Sequence, residues 1–226
     1  AISLYPYQKD AVARILFTLN TLLAHDVGAG KTYVMIATAM EMRRMGLSEK
    51  NMFVVPNNIV GQWKNIFYAM YPSANILCVE PKSFTPSKRE SLLERIRDED
   101  FDGIIIAYSC FERIPLSKEY YRNWLVYEQE LIAEIAGKKN KATSRLKKKQ
   151  EAVSKALSEL AVAMDDLYNG VYFDDLGITR LFVDEAHNFK NVPIETKADK
   201  VLGISASGSK KCKDMMDKVH IGAEEE

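Results

Sequence analysis

Leu22-Leu23-Ala24-His25-Asp26-Val27-Gly28-Ala29-Gly30-Lys31-Thr32 sets an apolar run against a glycine-rich loop that ends in Lys-Thr. Its counterpart lies far downstream, in Arg180-Leu181-Phe182-Val183-Asp184-Glu185-Ala186-His187, an apolar run that ends in two acids. Residues so distant in sequence can serve one site only if the fold brings the ends of their strands together. A parallel sheet does this, because its strands all end at the same edge. The two stretches together argue for a parallel α/β sheet with chemistry along its carboxyl edge.

The rest of the chain keeps that rhythm. Short apolar runs at 22–24, 52–55, 76–79, 103–107 and 180–183 read as strands. Helical patterns fill the gaps: residues 32–44, then Ile59, Trp63, Ile66, Phe67 and Met70 at helical spacing, then residues 87–97. Ile104-Ile105-Ile106 is the continuous apolar type of strand, buried on both faces. This alternation predicts a sheet with helices on both sides. A last helix is expected over 210–219 with Ser209 as its cap, and Glu224-Glu225-Glu226 as a frayed end.

One segment breaks the pattern. From 117 to 167 there is no strand signal. Leu146, Gln150, Val153, Leu157, Leu160, Met164 and Leu167 alternate four and three apart, a heptad seam. Leu125, Ile132 and Ile135 mark a second apolar stripe, and residues 137–144 separate the two arms. The expectation is a helical hairpin inserted into the α/β domain, which gives three segments: 1–116, 117–168 and 169–226. Lys138, Lys139, Lys141, Arg145, Lys147, Lys148 and Lys149 form a basic run with no acid between Lys138 and Gln150. It reads either as a solvated hairpin tip or as a patch that tracks phosphates.

Composition bounds the function. The chain has 226 residues, 47% of them hydrophobic, enough for a sizeable core. Lys+Arg and Asp+Glu both number 31, so no global basic field announces nucleic acid, and any such surface must be local. Cys78, Cys110 and Cys212 are odd in number and far apart, which suits free thiols in a reducing compartment. No paired histidines or CxxC suggest zinc, and no membrane-length apolar stretch or signal peptide is visible, so a cytoplasmic protein without a membrane partner is expected. The chain opens at Ala1 without a methionine, almost on top of a motif, as if excised from something longer.

The chemistry at the strand ends follows from residue types. Gly28 and Gly30, with Ala29 between them, let the backbone approach phosphate, and the N–H groups there stabilise anionic oxygens with the helix dipole behind them. Lys31 is placed to reach the β- and γ-phosphates of ATP, and Thr32 to offer its hydroxyl to Mg2+. Asp184 is expected to hold Mg2+ and Glu185 to orient or deprotonate an attacking water. His187 reads as a coupling residue, since no second histidine stands near it to help bind a metal. The full phosphate-loop pattern has glycine where this chain has His25. Trp63 and Trp124 read as packing residues.

These motifs resemble those of superfamily 2 helicases, and among them the Snf2-like DNA translocases. Leu4-Tyr5-Pro6-Tyr7-Gln8 is similar to the family's Leu-Arg-Pro-Tyr-Gln opening, whose glutamine reads adenine, a role that falls on Gln8. Residues 24–32 resemble Ala-Asp-Asp-Met-Gly-Leu-Gly-Lys-Thr, a helicase-type loop that tolerates residues other than glycine at the position of His25. Phe53-Val54-Val55-Pro56 followed by Gln62-Trp63, and Ile106-Ala107-Tyr108-Ser109, resemble motifs at strand ends on the DNA side. Asp184-Glu185-Ala186-His187-Asn188-Phe189-Lys190-Asn191 is close to Asp-Glu-Ala-His-x-x-Lys-Asn.

The resemblance implies a RecA-like lobe that binds ATP and Mg2+, with DNA as partner along Pro56, Asn57, Tyr108 and Ser109. It covers the α/β parts but not the hairpin, whose tip lysines, Lys147, Lys148 and Lys149 among them, are further candidate nucleic-acid contacts. A weaker likeness is to the large helicase-like proteins of phages and conjugative elements. Two family parts are missing: the Thr-Gly-Thr-Pro or Ser-Ala-Thr motif, which Ser205-Ala206-Ser207 only imitates, and the second RecA-like lobe with its arginine finger. The implied lobe alone should therefore hydrolyse ATP weakly. The alternatives are an NTP-dependent switch or scaffold that binds a protein, and an RNA helicase lobe.

Overall fold

The structure is a computed structural model that describes residues 2–18, 20–138, 144–163, 170–190 and 209–221. The chain divides into two compact units, Ala1–Ile114 with Asp175–Glu226, and Pro115–Asp174.

In the first unit, helix α1 (Pro6–Thr18) and helix α2 (Lys31–Arg44) precede strand β1 (Asn51–Val55). Helix α3 (Val60–Met70), strand β2 (Ile76–Val79), helix α4 (Pro86–Asp98) and strand β3 (Gly103–Ala107) follow, and β3 runs directly into a one-turn helix α5 (Tyr108–Phe111). The chain returns to this unit through a 3-10 turn at Phe173–Leu176, strand β4 (Arg180–Val183) and a second 3-10 turn at Ala186–Phe189. A last helix spans Lys210–Ile221.

The strands form one parallel sheet in the order β2-β3-β1-β4. Every residue of β1 and β3 is buried, as expected for central strands covered on both faces. The chain thus has the expected α/β architecture, a parallel sheet flanked by helices.

Residue identities explain the packing. Phe53 on β1 stacks on Phe182 of β4 with ring centroids 5.0 Å apart, and meets Trp63 at 5.5 Å and Phe67 at 5.8 Å, both from α3. Each fully buried aromatic contributes roughly 1.5–3 kcal/mol. Gly103 makes room for this cluster: a Cβ there would sit 2.9 Å from the Phe67 ring and 3.0 Å from the Phe53 ring. The β4 ladder continues one residue beyond the strand, where the Asp184 N–H donates to the Val54 carbonyl at 3.0 Å. The Lys50 ammonium donates to the carbonyls of Ile96, Arg97 and Leu176 at 2.5, 2.9 and 3.1 Å and so closes the end of α4. Ser209 caps the last helix, accepting from the Cys212 N–H at 3.3 Å.

The strand expected at 22–24 is not one. Leu22 is 80% exposed and only Leu23 packs on the core between α1 and α2. An apolar triplet becomes a strand only where a neighbouring backbone completes its ladder, and none among the described residues does here. Two elements lay outside the expectations. The first is α1, which carries Pro6 in its first turn and buries Gln8, Ala11 and Ile15 along one face. The second is α5.

The second unit is a pair of helices, α6 (Lys118–Lys138) and α7 (Ser144–Ala163). Ile132 and Val153 are buried in it, while Gln150, counted in the expected seam, is exposed. Glu128 on α6 pairs with Lys149 on α7 at 3.0 Å. Lys139, Lys141, Met164, Leu167, Asn191, Ser205-Ala206-Ser207 and Glu224-Glu225-Glu226 lie outside the described residues.

Candidate functional site

The glycine loop joins α1 to α2. Gly28 has φ +87° and Gly30 φ +72°, the left-handed region that only glycine enters without penalty. Gly30 is also the residue before the first turn of α2, and no side chain caps that end, so its N–H groups remain available for an anion. A Cβ on Gly30 would meet the Gln8 side-chain nitrogen at 2.5 Å. Gln8 is buried at this point: its Nε2 donates to the Ala29 carbonyl at 3.1 Å and its Oε1 accepts from the Tyr5 N–H at 3.0 Å. The Tyr7 hydroxyl donates to the same Ala29 carbonyl at 3.2 Å. Tyr7 carries no functional expectation from sequence; its signal was its place beside Gln8.

Lys31 folds back on its loop, with Nζ donating to the carbonyls of His25 at 3.0 Å and Asp26 at 3.2 Å. The His25 ring lies edge-on to Tyr7 at 6.5 Å. Thr32 follows in the first turn of α2, partly buried.

The acidic pair stands at the end of β4. Asp184 is 7% exposed. Its Oδ2 accepts from the Trp63 indole Nε1–H at 3.3 Å and its Oδ1 accepts from the Glu185 N–H at 3.0 Å. Burial pushes this carboxyl above the usual carboxylate range, and the bonds from Trp63 and the Glu185 N–H draw it back. The neighbouring Glu185 charge adds to the rise, and the Lys31 charge is the smallest of the influences that lower it.

Glu185 is the non-glycine residue with positive φ, +50°, among the described residues. Its Oε2 lies 3.1 Å from Nδ1 of His187, which begins no metal cluster: among the described residues no group of three or more His, Cys, Asp or Glu could hold an ion.

The segments expected on the DNA side sit at the ends of β1 and β3. Asn57 accepts the Ser109 N–H at 3.1 Å, which ties the two together, with Pro56 partly buried beside Asn57. The Tyr108 hydroxyl is turned to the acidic motif, where it donates to the Asp184 carbonyl and lies 3.4 Å from that of Glu185. Burial pushes the Tyr108 phenol up to about 12. In the second unit, Lys147 and Lys148 are exposed.

Comparison with known proteins agrees with the motifs. "ATP-dependent helicase fft1" of Schizosaccharomyces pombe is 32% identical over 90 residues, 40% of this chain and 9% of that protein. The Mus musculus "SWI/SNF-related matrix-associated actin-dependent regulator of chromatin subfamily A containing DEAD/H box 1" is 28% identical over 116 residues, 49% of this chain and 11% of that one. The chain thus spans about a tenth of the length of these curated relatives. A solved structure, "Sulfolobus solfataricus SWI2/SNF2 ATPase core in complex with dsDNA", shares 22% identity and a TM-score of 0.40 over 50% of this chain and 23% of that chain. The family described as "Probable helicase domain" matches residues 17–221, nearly the whole length, and this chain belongs to it.

Proposed function

We propose that this chain is the ATP-binding, RecA-like lobe of an ATP-dependent DNA translocase, with residues 117–168 as an inserted module. What supports the reading is the helicase-domain match over residues 17–221 together with the positive-φ glycine loop that opens α2 and the buried Asp184 at the end of β4. The oxygen donors present, the Thr32 hydroxyl and the Asp184 carboxylate, suit Mg2+, which binds through one or two protein oxygens together with substrate phosphates. When bound, Mg2+ would neutralise charge on the β- and γ-phosphates.

The protein's own residues do the rest in this reading. Backbone N–H groups at Gly28 and Gly30 bind the phosphates, and the Ala29 N–H and Lys31 leave the loop carbonyls of Asp26 and His25 to join them. Gln8, already seated on the loop, reads the adenine edge. Glu185 orients the attacking water or takes its proton, and His187 stands beside it to couple that step to the rest of the motor. DNA lies along Pro56, Asn57 and Ser109, with non-specific help from Lys147 and Lys148. Hydrolysis at full rate needs a second RecA-like lobe with an arginine finger, which is worth on the order of 10³–10⁵ in comparable sites.

The test is Lys31→Ala. Titration calorimetry with Mg-ATP should show affinity reduced by about tenfold or more, the size of one charge-assisted hydrogen bond. Circular dichroism should show no loss of fold, because the Lys31 ammonium touches only loop carbonyls. Equal affinities for the two proteins would overturn the assignment.

A further inference from the structure

Asp184 is gripped from two directions by side chains that originate on other elements. Trp63, on α3 beyond the end of β1, donates its indole N–H to Oδ2 at 3.3 Å. Tyr108, the residue after the end of β3, donates its hydroxyl to the Asp184 carbonyl and reaches that of Glu185 at 3.4 Å. The segments that carry them are joined to each other through Asn57 and the Ser109 N–H at 3.1 Å.

Packing alone does not require these donors. Trp63 is 1% exposed among Phe53 and Phe67, and the aromatic contacts there use the indole ring and not its N–H. The Tyr108 ring meets Phe189 edge-on at 5.1 Å, an arrangement that needs no hydroxyl. Each polar atom is instead directed at the residue pair that ends β4. Without the indole, Oδ2 of this buried carboxylate would lose its donor and only the Glu185 N–H on Oδ1 would hold it.

We propose that Trp63 and Tyr108 are positioning residues, which tie Asp184 and Glu185 to the turn at Pro56–Asn57 and the start of α5, so that DNA engaged at Pro56, Asn57 and Ser109 sets the geometry for ATP hydrolysis. This rests on the function proposed above. The linkage runs through Asn57 with Ser109, Trp63 with the Asp184 carboxylate, and Tyr108 with the backbone carbonyls. It assigns the side chain of Tyr108, expected from the resemblance to lie on the DNA side, to the acidic motif instead.

The experiment uses the intact protein, a linear duplex, and the variants Trp63→Phe and Tyr108→Phe. Steady-state ATP turnover is measured with and without saturating duplex, Mg-ADP affinity by calorimetry, and duplex affinity by anisotropy. The expected result is retained Mg-ADP and duplex affinity, with the DNA-dependent increase in kcat reduced about tenfold, the weight of one hydrogen bond to a charged or polarised acceptor. A purely structural role would lower melting temperature and all three readouts together, which would overturn the proposal. So would undiminished DNA stimulation in both variants, or a loss confined to duplex affinity. If Trp63→Phe fails to fold, Tyr108→Phe decides by the same criteria. Failure of the wild-type protein to bind Mg-ADP would overturn the nucleotide reading itself, and this inference with it.

Discussion

At the scale of single residues, the site is made of departures from ordinary backbone and ordinary burial. Gly28 and Gly30 occupy the left-handed region, which the proposed phosphate loop would use. Glu185 does so without being glycine, at a cost of about 1–2 kcal/mol, and such strain is kept where a side chain must be aimed. Its carboxylate is thereby presented at the strand end rather than along the sheet. Glu185→Gln keeps the size and the left-handed backbone but removes the base. In the intact protein it should still bind Mg-ATP while turnover falls on the order of 10²–10⁴-fold, the usual weight of a positioned acid–base group. Wild-type turnover would remove Glu185 from the reaction.

The sequence named Gly28, Gly30, Lys31, Asp184 and Glu185 because their chemistry depends on residue type and spacing. It did not show what holds Asp184 in place. Trp63 read as packing, and it does pack; its N–H bond to a residue more than a hundred positions away is a product of tertiary structure alone. The same holds for Tyr108, whose hydroxyl crosses from one strand end to another.

At the scale of elements, the strands at 76–79, 103–107 and 180–183 were legible to the residue, because apolar runs between turn residues have sharp edges. The triplet 22–24 failed for the converse reason: it carries apolar residues without a ladder partner. Helices stand where the two arms were expected, but the partner of Lys149 was not legible. Lys149 is answered by Glu128 on the facing helix, a partner that one arm's sequence does not reveal.

Lys147 and Lys148 are exposed and carry the remaining test. Lys147→Glu with Lys148→Glu should weaken duplex binding by the intact protein and reduce the slope of log affinity against log salt by about 0.9 for each phosphate no longer neutralised. Lys149→Glu should change the slope less, since its charge already has a counter-charge at 3.0 Å. Mg-ATP affinity should not change in either case. A slope identical to wild type in the double variant would make the tip a solvated end and leave the hairpin to a structural or protein-binding role.

At the scale of the whole molecule, the two tryptophans are divided between the two units: Trp63 lies in the aromatic core of the sheet unit and Trp124 on α6 of the helical unit. Each unit thereby has its own intrinsic fluorophore. Trp124→Phe leaves an emission signal that reports the sheet alone, and Trp63→Phe leaves one that reports the hairpin alone. A two-helix unit of this size buries too little apolar surface to be robust by itself, whereas the sheet unit has a continuous core. Heating should therefore give two separate emission transitions, with the Trp124 signal moving at the lower temperature. Superimposable curves would mean that the units melt as a single cooperative body, and that a disturbance in the hairpin is felt energetically throughout the sheet.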